Sequence, residues 1–164
     1  MKTPSFYLFF LLALCSCQPT TPSADSVIET TVEEITPEEA IQQLVIDAFD
    51  QVWSALDTNS LARLHTEDFL LLEHGEVWTN DTIINYQRNA MAGMIEQGYV
   101  RTNHMEFLTT GANSELAWTT YHNYGTWTVG KDTTGQAHWL ESAVAVKTAE
   151  GWKLKMLHST RVQK

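Results

Sequence analysis

Apolar residues recur at three- and four-residue steps through Ile41, Leu44, Val45, Ala48, Val52 and Leu56. That spacing is the buried face of an amphipathic helix running to about Asp57. Thr36-Pro37-Glu38-Glu39 starts it, with Thr36 as N-cap, Pro37 at the first helical position and Glu39 placed to close a capping box. Asn59 caps a shorter turn through Leu61 and Leu64. The pattern then changes period. Phe69-Leu70-Leu71-Leu72-Glu73 reads as a short buried strand, His74-Gly75 as its turn and Glu76-Val77-Trp78 as the return strand. Thr79 or Asn80 caps a second helix with Ile83, Ile84, Gln87, Met91, Met94 and Ile95 on one side, and Gly98 stops it.

Long strands fill the rest, over residues 99–109, 115–129, about 138–148 and 152–162. Helices followed by a run of long antiparallel strands predict an α+β domain. A long sheet of this kind curls around its helices and leaves a cavity between them. Ala149-Glu150-Gly151 reads as a three-residue hairpin loop that sets Thr148 opposite Trp152. Val144 then pairs with Met156, Ser142 with His158 and Leu140 with Thr160. One face carries Val146, Val144, Ser142, Leu140 and His138 beside Trp152, Leu154, Met156, His158 and Thr160, apolar near the loop and polar at the far end. The opposite face, with Glu141, Lys147, Lys153, Lys155 and Arg161, reads as solvent or a subunit contact. A one-residue slip sets Glu141 beside His158 instead, and both registers remain open at this level.

Ahead of the domain, Phe6 to Leu14 is an apolar run too short for a permanent bilayer span, which needs about 20 residues. With Lys2 before it and a small residue before a Cys, it has the form of a secretory signal. Leu14-Cys15-Ser16-Cys17 resembles the bacterial lipobox, in which the Cys is lipidated and becomes the new N-terminus. Cys17 fits that role better than Cys15, which would place bulky Leu14 just before the cut. A plain signal peptide cut near Ala13 or Ser16 is the alternative. Residues 1–16 are then the signal, 17–36 the lipidated Cys and a Pro-, Thr- and Ser-rich tether, and 37–164 the folded domain. A flexible tether of this length spans roughly 25 Å. The expected address is the cell envelope, as a membrane-anchored lipoprotein, in the outer membrane if the source is Gram-negative.

This reading removes sulfur from the available chemistry. Cys15 leaves with the signal and Cys17 carries lipid, so no disulfide, thiolate nucleophile or Cys-containing metal site is expected. The chain carries 20 Asp and Glu against 10 Lys and Arg, and losing Lys2 with the signal makes it more acidic still. Such a surface repels phosphate backbones, which argues against nucleic acid as a partner. Of six histidines, His104, His122, His138 and His158 fall on four different strands. None has metal-ligand spacing, so no metal and no cofactor are expected.

The element order, together with Thr66-Glu67-Asp68-Phe69 before Glu73-His74-Gly75, Ala117-Trp118-Thr119-Thr120-Tyr121, Trp139-Leu140-Glu141-Ser142, and Gly151-Trp152-Lys153-Leu154 leading to His158-Ser159-Thr160, resembles the nuclear transport factor 2-like superfamily. The resemblance covers about residues 38–163 and points to the SnoaL-like and DUF4440-like bacterial members. It implies a cone-shaped fold, a curved antiparallel sheet wrapped around N-terminal helices. The superfamily includes isomerases, dehydratases, hydrolases and proteins without catalysis, so it implies no single activity. Its ketosteroid isomerase branch uses a carboxylate base with Tyr and acid donors. Asp57, Asp68, Glu73 and Glu141, with Tyr86, Tyr121 and Tyr124, are the residues here of matching type, without a residue-by-residue match.

His158 is the leading catalytic candidate, because it lies at the polar end of an apolar face and titrates near neutral pH. Glu141 is the carboxylate paired with it if the register slips. Trp53, Tyr121, Trp127 and Trp139 would line a pocket for a flat, apolar ligand, with Arg88 toward its mouth and Ser142 and Thr160 as further ligand-binding candidates. Core and sheet packing is the competing explanation for each aromatic residue. Three functions follow: a lipid-anchored small-molecule binder, a cofactor-free isomerase, dehydratase or hydrolase using His158, and a homodimeric surface module using the outer face of the sheet.

Overall fold

Thr36 opens the first helix as the capping box requires. Its side chain accepts from the Glu39 backbone N–H at 3.2 Å, while the Glu39 carboxylate accepts from the Thr36 backbone N–H at 2.9 Å. The computed structural model describes residues 35–163; the expected signal, Cys17 and the tether up to residue 34 lie outside them. Helix α1 (Pro37–Ala48) runs directly into a wider π-helical turn, Phe49–Ser54. A 3-10 turn, Thr58–Ser60, leads to α2 (Leu61–Leu64), and the cap there is Asp57, which accepts from Asn59 N–H, rather than Asn59 itself.

Strands β1 (His65–Glu73) and β2 (Glu76–Trp78) form the short hairpin, turned by His74 at φ 54° and Gly75 at φ 80°. Strand β1 starts earlier than the apolar run indicates, because His65 is itself buried and pairs with Leu154. Thr79 caps α3 (Asn80–Tyr86), a second π-helical turn follows at Gln87–Met91, and α4 (Ala92–Glu96) ends at Gly98 with φ 79°. The long strands are β3 (Tyr99–Ala112), β4 (Leu116–Val129), β5 (Asp132–Thr148) and β6 (Gly151–Arg161).

The six strands form one sheet in the order β2-β1-β6-β5-β4-β3, with β1 parallel to β6 and every other neighbour antiparallel. Helix α1 lies on its concave face. Ile41, Val45 and Val52 from the helix meet Phe69, Leu71, Tyr121, Ala143, Ala145 and Leu154 from the strands in one core. The two π-helical turns are tied together: Gln87 in the second donates its buried side-chain amide to the Val52 carbonyl in the first. Among the described residues no helix is long and apolar enough to cross a membrane.

The last hairpin corrects the expectation in two respects. Its loop is two residues, Ala149-Glu150, with Thr148 paired to Gly151, and the extra residue sits instead as a bulge at Lys155. Loop and bulge compensate, so Val144 still pairs with Met156 and Ser142 with His158. The faces, however, are reversed along β5 and beyond the bulge in β6, whereas Leu154 and Trp152 before the bulge pack against the core. Ala137, Trp139, Glu141, Ala143 and Ala145 point into the core, while His138, Leu140, Ser142, Val144 and Val146 lie on the convex side. The concave face is crowded by α1 and by large rings, so the central strand contributes mostly alanines there. Its bulkier apolar residues are left outside.

Phe69 stacks on His65 with ring centroids 3.8 Å apart and is 2% exposed. Phe69→Ala should therefore cost about 3–5 kcal/mol, read as a lower urea midpoint with an unchanged slope.

Candidate functional site

The pairing registers place one row of side chains across five strands on the concave face: Glu73, Ser159, Glu141, Tyr121 and Phe107. Glu141 is in the middle of this row and only 5% exposed. Ser159 Oγ donates to its Oε1 at 2.8 Å, and Asn123 Nδ2 donates to its Oε2 at 3.2 Å. Burial of the charged form dominates and pushes the Glu141 carboxyl up to about 7; the Ser159, Asn123 and Tyr121 side chains pull the other way, and Glu73 adds to the rise. Glu141 can therefore hold or release a proton near neutral pH, a property that concentrates at functional sites.

Two buried polar atoms beside it lack partners: the Tyr121 hydroxyl and Asn123 Oδ1. Tyr121 is fully buried, and its phenol is held protonated first by that burial and then by Glu141. Its hydroxyl is close enough to Glu141 to act on its ionisation, yet it makes no hydrogen bond of normal geometry. Unpartnered buried groups call for a water or ligand.

A cavity of about 40 Å³ opens against this row, walled by Phe49 and Trp53 from the π-helical turn of α1, Glu73, Arg101, Trp139 and Glu141, among others. A second, of about 10 Å³, lies toward α4, walled by Met91, Met94, Ile95, Tyr99 and Trp127. Trp53 and Arg101 are walls of both. The space for these rings exists because Gly125 has no side chain: a Cβ there would sit 2.8 Å from Trp139. A larger open depression of about 660 Å³ lies over His138, Gln136 and Arg161–Gln163. None of its walls is a buried ionisable group, whereas the smaller concave cavity is walled by the buried Glu141.

Arg101 fills the centre of that space. Its guanidinium carbon lies 5.8, 5.9, 5.3 and 5.4 Å from the ring centroids of Phe49, Trp53, Trp127 and Trp139. Its hydrogen bonds go to Asn103 Oδ1, at 3.2 and 3.0 Å. Burial lowers its pKa, while Glu141 and Glu73 oppose that change. Glu73 is half-buried and its own carboxyl is raised, chiefly by burial.

No protein-family model matches the chain, and no curated protein matches it. Solved structures do. An NTF2-like protein of unknown function from Prochlorococcus aligns at TM-score 0.61 and 15% identity, over 79% of this chain and 95% of that one. An NTF2-like protein with a cystatin-like fold from Novosphingobium aromaticivorans aligns at TM-score 0.63 and 15% identity, over 76% and 81%. The S. rosetta CaMKII hub aligns at TM-score 0.62 and 14% identity, over 79% and 99%. The chain has the NTF2-like fold.

Within the NTF2-like domain, Trp53, Trp127, Trp139 and Glu141 line the concave cavities, and Tyr121 lies in the core beside Glu141 without lining them. His158, Ser142, Thr160 and Arg88 do not. His158 and Thr160 are exposed on the convex face with Ser142 beside them, and Arg88 is exposed on the second π-helical turn. The reversed hairpin faces explain the first three. His158 is thus separated from Glu141 by the sheet itself, and Glu141 pairs with Ser159. Glu73, one of the four carboxylates of matching type, lines the inner cavity with Arg101, and Asn123 joins the site through its bond to Glu141. The available signal was the alternation Arg101, Asn103, Met105, Phe107 along β3, which needs the register of β4 to become a face. His122 Nδ1 and His138 Nε2 lie 2.8 Å apart on the convex face. Among the described residues no group of three or more His, Cys, Asp or Glu is placed to hold a metal.

Two buried groups give opposite pH dependences. Glu141 binds its proton more tightly in the folded state, so its contribution to stability is full below about pH 4.5 and is lost as pH rises through about 7. His65, lowered to about 4 mainly by burial, contributes above about pH 6.5 and is lost as pH falls through about 4. Subtracting a Glu141→Gln variant isolates the first. Its stability relative to wild type should improve by about 2–3 kcal/mol between pH 5 and pH 8 in urea titrations. A constant difference would show that Glu141 ionises without penalty.

Proposed function

We propose that this is an exported, lipid-anchored protein whose NTF2-like domain binds a small molecule in the concave cavity without a cofactor. One observation carries the binding reading: a buried carboxyl poised near pH 7, with an unpartnered Tyr121 hydroxyl and Asn123 Oδ1 beside it, against a cavity walled by Trp53 and Trp139. At about 40 Å³ the cavity admits a small polar group rather than the flat aromatic molecule that the aromatic count implies. The lipobox-like Leu14-Cys15-Ser16-Cys17 supports anchoring at the cell envelope.

An enzymatic reading now rests on Glu141 as the acid or base with Tyr121 as donor, since His158 is on the other face. A dimeric reading has its own support. Trp118, Val144, Met156 and Leu70 form an adjacent row on the convex face, with Trp118 42% and Leu140 45% exposed. Exposed apolar rows of this kind mark contact surfaces, and the neighbour from S. rosetta is named as a hub.

Native mass spectrometry of protein purified from its own host reads all three parts. The expected mass is that of a chain beginning at lipidated Cys17, with a retained small molecule that Glu141→Gln and Trp139→Ala release. A precursor mass would overturn the anchor, and an empty chain together with unaltered binding of every small probe would overturn the site. A monomer at high concentration would count against the dimer.

A further inference from the structure

The Arg101 guanidinium is surrounded by four aromatic rings, and no carboxylate oxygen among the described residues lies within 4.0 Å of it. A guanidinium cannot shed its charge in a protein. What compensates it is the negative face of the rings, with Glu141 and Glu73 acting over a longer distance. The arrangement is that of an aromatic receptor for organic cations, with a cation from the protein's own β3 already in it.

Two further features fit Arg101 as an occupant that a ligand can displace. Its own hydrogen bonds run to Asn103 on the same strand, and its link to another element is indirect, through the bond that Asn103 Nδ2 donates to Ser54 Oγ at 3.0 Å. It also stands as a common wall of the inner cavity and the cavity beside α4. Withdrawing it would open the boundary between the two on its side, leaving Trp53 as their remaining common wall.

We propose that the concave site takes a small organic cation, an alkylammonium or guanidinium group, which enters beside α4, displaces Arg101 from the aromatic cage and lies over Glu141 and Glu73. The inference rests on the small-molecule reading above and names the ligand class. The charge balance favours it over an anion. With both carboxylates ionised, the site holds two negative charges against the single positive charge of Arg101. A cation that replaces Arg101 keeps that balance, whereas an anion added beside Arg101 worsens it. The ionisable and charged groups that act on Glu141 are Glu73 on β1, Arg101 on β3 and Tyr121 on β4; Glu73 in turn is acted on by His74, 3.3 Å away in the turn after β1, by Arg101, and by Arg161 on β6. A bound cation competes with protons for Glu141, so binding should strengthen from pH 5.5 to pH 8.

The test is a titration of the full chain in nonionic detergent with choline, its neutral isostere 3,3-dimethylbutan-1-ol, and acetate, followed by tryptophan fluorescence and calorimetry. Choline should bind, the isostere and acetate should bind at least tenfold more weakly, and choline affinity should rise several-fold between pH 5.5 and pH 8. Arg101→Gln and Arg101→Met remove the internal competitor and should each tighten choline at least tenfold. Equal affinities for choline and its isostere would overturn the proposal, as would choline binding that neither variant strengthens. Binding of acetate alone, lost in Arg101→Gln, would overturn the ligand class and leave the site standing. No response to any probe in wild type and both variants, with an empty chain by mass spectrometry, would overturn both.

Discussion

Glu141 is a carboxyl group held in the middle of a sheet, on the face that packs against a helix, and the surroundings of the site are arranged around that burial. Two donors, Ser159 and Asn123, reach it from adjacent strands because the registers of β4, β5 and β6 bring them alongside. The π-helical turn at the end of α1 places Phe49 and Trp53 over it. Gly125 and Ala137 keep the neighbouring row thin enough for the Trp139 ring. Burial without a contacting cation raises the carboxyl toward neutrality, where a change of proton or ligand alters the charge of the site. Asn123 is suited to either state: its Nδ2 serves the ionised carboxylate, and its unpartnered Oδ1 could accept a proton from the neutral acid after an amide flip.

The two faces of the sheet divide the work. The concave face holds the core, the carboxyl row and the aromatic cage. On the convex face lie Trp118, Leu140 and Val144 together with the stack of His104, Tyr124 and His138, in which Tyr124 and His138 are 4.4 Å apart and nearly parallel. Tyr124 also donates to Glu106 at 3.2 Å, so this surface is organised as well as apolar. Curvature links the two faces. Tight packing on the inside calls for Ala and Gly on the central strands, and the larger aliphatic residues of the same strands are left on the outside.

Local chemistry made most of the elements legible. Thr36 with Glu39, Thr79 as N-cap, and the positive φ of Gly75, Gly98 and Gly151 are short-range requirements that a few consecutive residues satisfy by themselves. The α+β order and the curved sheet followed from them. The clustering of Trp53, Trp127 and Trp139 is legible because large rings seek a shared buried volume, while Tyr121 packs in the core. His158 was placed wrongly for a specific reason. In β5 an alternation of Glu and Ala with Leu, Ser and Val looks most apolar on the Val and Leu side, and nothing within the hairpin shows that the face against α1 takes mostly Ala.

Sequence by itself determined where the helices start, where the chain turns and which residues alternate along each strand, because those depend on neighbours within a few positions. It also set the acidity and the lipobox-like N-terminal pattern. Tertiary structure alone decided which side of each strand faces the helix. With a period of two, that choice is a single binary decision for a whole strand, settled by volume and register across the sheet rather than by any one residue. The decision put Glu141 inside and His158 outside. It also brought Arg101, 40 residues from Glu141 in the chain, into a cage whose rings come from the π-helical turn after α1, from β4 and from β5.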